Sequence, residues 1–534
     1  MRGAFLVIIA LLELHNFLSS PHIRDSFMTA RHTFLSRCRY VQLALGVFGF
    51  FGFHYFGHAR AATINANSAS FAHVSGAVAQ ASDGDTVVIP AGTATYTSTL
   101  RITKAITLQG AGAGNTIIKD DVPRVGTSAV MLWTLKANLP SRLTGIELQN
   151  AASAASFTGA ILVSGSEVDN RTMRIDHCAF TNLGAPAIQI EGALGVADHN
   201  TFTYNRGEGI LVFHRGWGGT NYGDGSWADL PYFGTSKFFF FEDNTFTNTT
   251  VYQTVGNIDS WAGGRYVARH NTFNNTLANT HGTESGSRQR SVRAIEVYNN
   301  TFNFTFAAGA GQIRGGTAVI HDNTYGASVL YGMLLTSYRQ YLPFPPWGSA
   351  NGNNAWDSND THGIYASGTH TAAQSNTVLT DSGATWTTNQ WVGYSVTNTV
   401  TGRASWIKSN TATTITYFFD NSYDSNGNLV FHTGDGYAIY KLLIALEQPG
   451  RGKGDLVRGD TPINSTTGTA AWTHEALEPI YSWNNNRPIS SEEPTIQENR
   501  DFYNNTAMPG YTPYTYPHPL VHGPDSPHGL RVVQ

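Results

Sequence analysis

The chain has 534 residues, 41% of them hydrophobic, 12% aromatic and 13% charged, with 55 glycines and a formal net charge of −4. That aromatic content excludes a disordered low-complexity chain. Low charge with abundant Gly, Thr and Asn and few helical runs fits an all-β extracellular protein.

The N-terminus reads as a targeting segment. Arg31, Arg37 and Arg39 precede the apolar run Val41–Phe53, and Ala59-Arg60-Ala61 is an A-x-A cleavage pattern. Residues 1–61 are therefore expected to leave, with Met28 as an alternative start. The rival reading, an uncleaved anchor, has a run too short for an ordinary span, and nothing after Ala62 reads as transmembrane. Removing residues 1–61 takes away six arginines and two acids and leaves 27 basic and 35 acidic residues, net −8. This balance argues against a nucleic-acid partner, which needs a basic face. An anionic polysaccharide stays open, because a cleft can be locally basic. Of the two cysteines, Cys38 leaves with the signal, so Cys178 has no intramolecular partner. No Cys/His spacing for a metal is present.

Residues 64–81 predict a short strand and a helix that caps a stack of coils. Next, GDTVVIPAGTATYTSTLRITKAITLQGAGAGNTIIKDD (Gly84–Asp121) alternates short β-branched runs with glycine turns. This stretch resembles the opening coils of the pectate lyase-like superfamily, where a GDTVxxPxGxY phrase precedes an ITLxGxGxxxTII phrase. The resemblance implies a parallel β-helix, right-handed as in that family, and leaves the activity open. The glycines are not a phosphate loop, since no Gly-Lys-Ser/Thr follows.

SRLTGIELQN (Ser141–Asn150) reads as another coil. A phrase then recurs six times: MRIDHCAF, GVADHNTF, FFFEDNTF, YVARHNTF, IEVYNNTF and AVIHDNTY, between Met173 and Tyr325. The closing aromatics step by 22, 44, 27, 29 and 23 residues. Two positions before the aromatic stand Cys178, Asn200, Asn244, Asn271, Asn300 and Asn323, and five before stands an apolar residue each time. Period-two alternation marks a strand with one buried face. The short irregular period marks a solenoid, without the leucine ladder of leucine-rich repeats and too short for propeller blades. Stacked coils place Phe over Phe inside and Asn over Asn at a bend, where Asn tolerates a left-handed backbone. Asp176, Asp198, Glu242 and Arg269 then form an outward column, read as a solvated face with lateral pairing. Calcium binding is the alternative for it. RIDHCAF resembles the W-I-D-H phrase of pectate lyases, with Arg174 where that family has Trp. By the resemblance Asp176 and His177 are structural. Neither the R-x-P-x-x-R phrase of pectate lyases nor their aspartate triad for calcium is present.

A further sheet is expected a few residues after each aromatic, with polar residues Gln189, Glu191, His214, Arg215, Asn257, Asp259, His281, Glu284, Gln312 and Arg314. Candidate substrate-binding residues lie in or beside it: His214, Arg215, Trp217, Tyr222 and Trp227 in the aromatic loop His214–Gly234, together with Arg314 and Tyr331. Sugar rings stack on aromatic faces, and Arg or His reads hydroxyls and carboxylates. Catalytic candidates are His281, Glu284, Arg288, Arg290 and Asp259. Cleaving a uronic polysaccharide by β-elimination requires a neutralised carboxylate, a base for the C5 proton and an acid for the leaving oxygen. Arg288 or Arg290 would neutralise, His281 or an arginine in an unusual environment would take the proton, and Tyr331 or His214 would donate. Hydrolysis needs two carboxylates, with Asp259 and Glu284, or Asp224 and Asp229, as the candidates.

Residues 366–440 read as a small antiparallel β module inserted in the solenoid, with Trp386, Trp391 and Trp406 read as its core and a glycan platform as the alternative. Residues 441–534 return to the repeat style as last coils, cap and tail. GRGKGD near Arg451 reads as a turn. The expectation is thus an all-β right-handed parallel β-helix over 62–365 with that insertion. The function expected is a secreted or cell-surface protein acting on an acidic polysaccharide, a lyase before a hydrolase. A non-catalytic glycan-binding adhesin is the rival. No cofactor is expected with certainty, calcium being the candidate.

Overall fold

The computed structural model describes residues 61–522, apart from 126–127, 152–157, 166–171, 205–208, 250–257, 283–289, 337–363, 393, 418–428, 442–446, 453–456, 459–462, 465–475 and 492–495. The targeting segment, and with it the signal-peptide expectation, lies outside the described residues.

Each coil contributes a strand to each of three faces. Phe239–Glu242 belongs to the first sheet, Thr245–Asn248 to the second and Ile258–Ser260 to the third, and Arg265–Arg269 re-enters the first. Among the described residues the first sheet has twelve strands, the second nine and the third six, every pairing parallel. This is a parallel β-helix. The helix Phe71–Gln80 covers its N-terminal end, with the Ser70 hydroxyl accepting from His73 N and Val74, Ala77 and Val78 buried.

The repeated aromatics stack in file. Ring centroids from Phe180 through Phe202, Phe246, Phe273 and Phe302 are 4.6–4.8 Å apart, with planes within 8° of parallel. Tyr325 ends the row at 5.2 Å. The asparagines form a second file. Asn244 Nδ2 donates to Asn271 Oδ1 at 3.0 Å and to Ala197 O at 2.9 Å, and the same pair of bonds recurs at Asn200, Asn271, Asn300 and Asn323. Asn485 completes the file beyond the insertion.

One detail of the bend differs from expectation. The left-handed residue is the one before the asparagine: His177, His199, Asp243, His270, Asn299 and Asp322 have φ of 52–57°. The asparagine itself turns inward, because its amide is needed to satisfy backbone groups that the corner leaves without a ladder partner.

The outward column on the first sheet is not a solvated face. Asp176, Asp198, Glu242 and Arg269 are all buried. Arg142 pairs with Asp176 at 2.6 Å, Arg174 with Asp198 at 2.8 Å and Arg269 with Glu242 at 2.6 Å. The C-terminal segment lies over them. Arg269 donates to Tyr514 O and Thr515 O, Arg174 donates to Val521 O, and His518 N donates to Glu242. A calcium ion does not fit this column, since each acid already has an arginine. Among the described residues no group of three or more His, Cys, Asp or Glu is placed to hold a metal.

The insertion is an antiparallel six-stranded sheet from Ile364–Thr369 to Gly436–Lys441. Trp391 is in its core and Trp386 packs against it, as expected. The side chain of Trp406 lies outside the described residues. No helix among the described residues is long and apolar enough to cross a membrane.

Candidate functional site

Three long excursions leave the solenoid at one corner, between the third sheet and the first. They are residues 214–238, residues 282–293 and the stretch from 336 to 479 that carries the inserted module. They pack on one another through buried arginines. Arg290 has Glu447 at its Nε, with Asp224 Oδ1 3.5 Å from Nη1. Arg293 reaches Glu478 at 2.7 Å and donates to Asp229 O at 2.6 Å. Arg265 donates to Ser226 Oγ and to the carbonyls of Ser226, Leu230 and Pro231. Trp227 lies under both Arg290 and Arg293, and its Nε1 donates to Ser291 O at 3.0 Å. Burial pulls the pKa of Arg265 well below its usual value, and the Arg293 charge beside it adds to the effect.

This packing corrects several expectations. Arg290, Trp227 and His214 are fully buried and Trp217 nearly so, and Arg290 and Trp227 join one excursion to the next. A buried side chain cannot touch a polymer from solvent. Burial, with the charge of Arg265, holds His214 at a pKa of about 3, so it is neutral and no acid for a leaving group at ordinary pH. Trp217 donates to Asp229 Oδ2 at 3.0 Å, and Lys237 lies 3.9 Å from the Tyr232 ring. The aromatic loop is folded largely on its own rings. Asp224 and Asp229 are engaged there and do not stand across an open gap. Glu284, Arg288 and Asn257 lie outside the described residues.

A different set converges on the outer face of the third sheet. Ile258 bridges to Ala278, which brings two successive coils into register. His281 Nδ1 then lies 2.6 Å from Asp259 Oδ2, and Arg314 Nη2 lies 2.9 Å from His281 Nε2. A guanidinium only donates, so Nε2 is the acceptor and the proton sits on Nδ1, close to Asp259 but not aligned on it as a hydrogen bond. Asp259 is itself oriented by Ser260 N at 2.8 Å. The edge of Trp261 meets the His281 ring at 5.3 Å, and Phe213 meets Trp261 at 4.4 Å. Arg215 lies 4.1 Å above the Phe213 ring and pairs with Glu191. Burial pushes the Glu191 pKa up, and Arg215 opposes the shift. The His281 side chain is 20% exposed. Tyr222 is exposed and Tyr331 half-buried against Gly309.

Asp259, His281 and Arg314 are thus brought together, with Arg215 on the same face. Trp261 and Glu447 were not singled out from the sequence. Trp261 closes a coil that was recognised, so its outward position was readable from the alternation. Glu447 meets Ser291 N at 2.7 Å from 156 residues away, and no local pattern marks it.

No family model and no curated protein matches the sequence. Among solved structures the chain is similar to a point mutant of a PL6 family alginate lyase. The identity is 13% and the TM-score 0.30, over 52% of this chain and 39% of that one, well under two thirds of its length. It is also similar to ORF18 of Geobacillus virus E2, at 13% identity and TM-score 0.28, over 73% of this chain and 80% of that one.

Proposed function

We propose that the protein is a secreted member of the pectate lyase-like superfamily that cleaves an acidic polysaccharide by β-elimination. The observation that carries this reading is the Asp259–His281–Arg314 constellation on the third sheet. Arg314 leaves His281 Nε2 to pair with the uronate carboxylate, which lowers the cost of charge building up there. Nε2, now open, takes the C5 proton, and Asp259 holds the imidazole in the required tautomer and stabilises its charged form. The C5–H electrons form the C4–C5 double bond as the C4–O bond breaks. The phenol of Tyr331 or Tyr222 protonates the leaving oxygen. No nucleic-acid partner is proposed, since the chain carries a net charge of −4 and would carry −8 without residues 1–61.

The test is incubation with a panel of uronic polysaccharides, following ultraviolet absorbance of unsaturated ends. The expected result is product from at least one of them and none from His281→Ala. Absence of unsaturated ends from every substrate, with binding retained, would instead make the protein a glycan binder.

A further inference from the structure

We propose that Arg215, set by Glu191 and Phe213, reads a second carboxylate of the same polysaccharide chain, about three coils from Arg314. The substrate then runs along the coil axis, and the site favours chains of at least four uronic residues. This rests on the reading above and adds the direction, length and charge pattern of the substrate.

The argument is geometric. Arg215 follows the third-sheet strand Ile210–Phe213, which pairs with Ile258–Ser260. The next coil joins through Ile258 and Ala278, and the one after through Thr280 N donating to Gln312 O. Arg314 is in that last coil. Three coil steps at the spacing of parallel strands give about 14 Å. The ring stack inside this helix, at 4.6–4.8 Å per step, agrees. A pyranose residue in an extended chain advances by roughly one coil step. Two cations three steps apart therefore match carboxylates three residues apart in a uniformly charged chain.

The row between them suits sugar. From Arg215 it passes to Phe213, to Trp261 and to His281 in unbroken contact. Phe213 is itself buried and supports the row from beneath, so the ring a sugar meets is the part-exposed Trp261, beside a fixed cation. Arg215 is held for this role. Phe213 supports one face of its guanidinium and Glu191 pairs with Nη1, yet 32% of its side chain is open to solvent. A pre-oriented guanidinium loses less freedom on binding than a free one. The Glu191 carboxylate also repels a carboxylate placed one position out of step.

The experiment measures kcat/KM for uronic oligosaccharides of two to six residues. Wild-type kcat/KM should climb steeply up to four residues and then level off. Arg215→Ala should lose about tenfold or more on chains of four and longer, mostly in KM, and distinctly less on the shortest chain cleaved. Arg215→Lys should restore part of the loss. Arg314→Ala should lose activity at every length. Calorimetric binding of the hexamer to His281→Ala, with and without Arg215→Ala, gives a readout independent of turnover and should show the same loss. If elimination occurs but Arg215→Ala falls equally at all lengths, or not at all, this inference fails and the reaction stands. If no uronic substrate is cleaved or bound, the reaction itself fails.

Discussion

At the level of single residues, the molecule separates arginines that build from those placed to act. Arg265, Arg290 and Arg293 are fully buried, with carbonyl or carboxylate partners on the excursions, whereas Arg314 and Arg215 line the outer face of the third sheet. Desolvating a guanidinium is costly unless its donors are used, so the buried three hold loops in place. The carboxylate of Asp259 lies 2.6 Å from His281 Nδ1, where an orienting group would stand. Asp259→Asn should keep the fold and lower kcat by about 100-fold or more, with KM little changed, because the wrong tautomer of His281 is then favoured. Steady-state kinetics on the substrate found for the wild type, with a thermal melt as control, checks this.

Among elements, the corner after each first-sheet strand is the most regular device in the chain. Every asparagine of the file from Asn200 to Asn323 donates to a carbonyl of the preceding coil and to the next asparagine, whose Oδ1 also takes its backbone amide. Asn271→Ala would leave Phe241 O, Asn244 N and Asn244 Nδ2 without these partners. A loss of about 3 kcal/mol is expected from several buried groups unsatisfied at once, measured by chemical denaturation. The excursions depend on a different contact. Glu447 meets both Arg290 and Ser291 N. Glu447→Ala should cost about 3 kcal/mol or more, since it removes a buried partner from a buried cation. Hydrogen exchange should show the loss concentrated at 290–293 and 224–229, with the ring and asparagine files still protected.

Across the whole molecule, the C-terminal segment is a strap over the first sheet. Tyr511 donates to Glu296 Oε2 at 2.5 Å, and Gly234 N donates to Oε1 at 2.7 Å. Strap, aromatic excursion and sheet therefore meet on one carboxyl. Burial pushes the Glu296 pKa up to about 7 from an ordinary 4.5. A carboxyl whose folded pKa is raised contributes stability that is complete below the unfolded value and lost as pH rises to the folded one. The window here is pH 4.5 to about 7. Glu296→Gln stays neutral throughout, so relative to wild type it should gain stability across that window and level off above it. A gain on the order of 2 kcal/mol at pH 8 over the difference at pH 4 is expected, read from denaturation at both.

The repeat, its period and the alternation within each phrase were enough to determine coils, inner rings, the asparagine file and the face bearing Asp259 and His281. These are consequences of like residues recurring at like spacing, and a stack of coils turns spacing into contact. The inserted module was equally legible, because hairpin turns and alternation are local. What only the tertiary structure decided is which charges are spent inside. The strap lies over Arg174 and Arg269 from about 245 to 347 residues away, and Glu447 reaches Arg290 across the insertion. In a linear reading Arg290 and Arg314 are alike, both arginines beside a turn. Burial separates them, and burial depends on which distant segments fold over each corner.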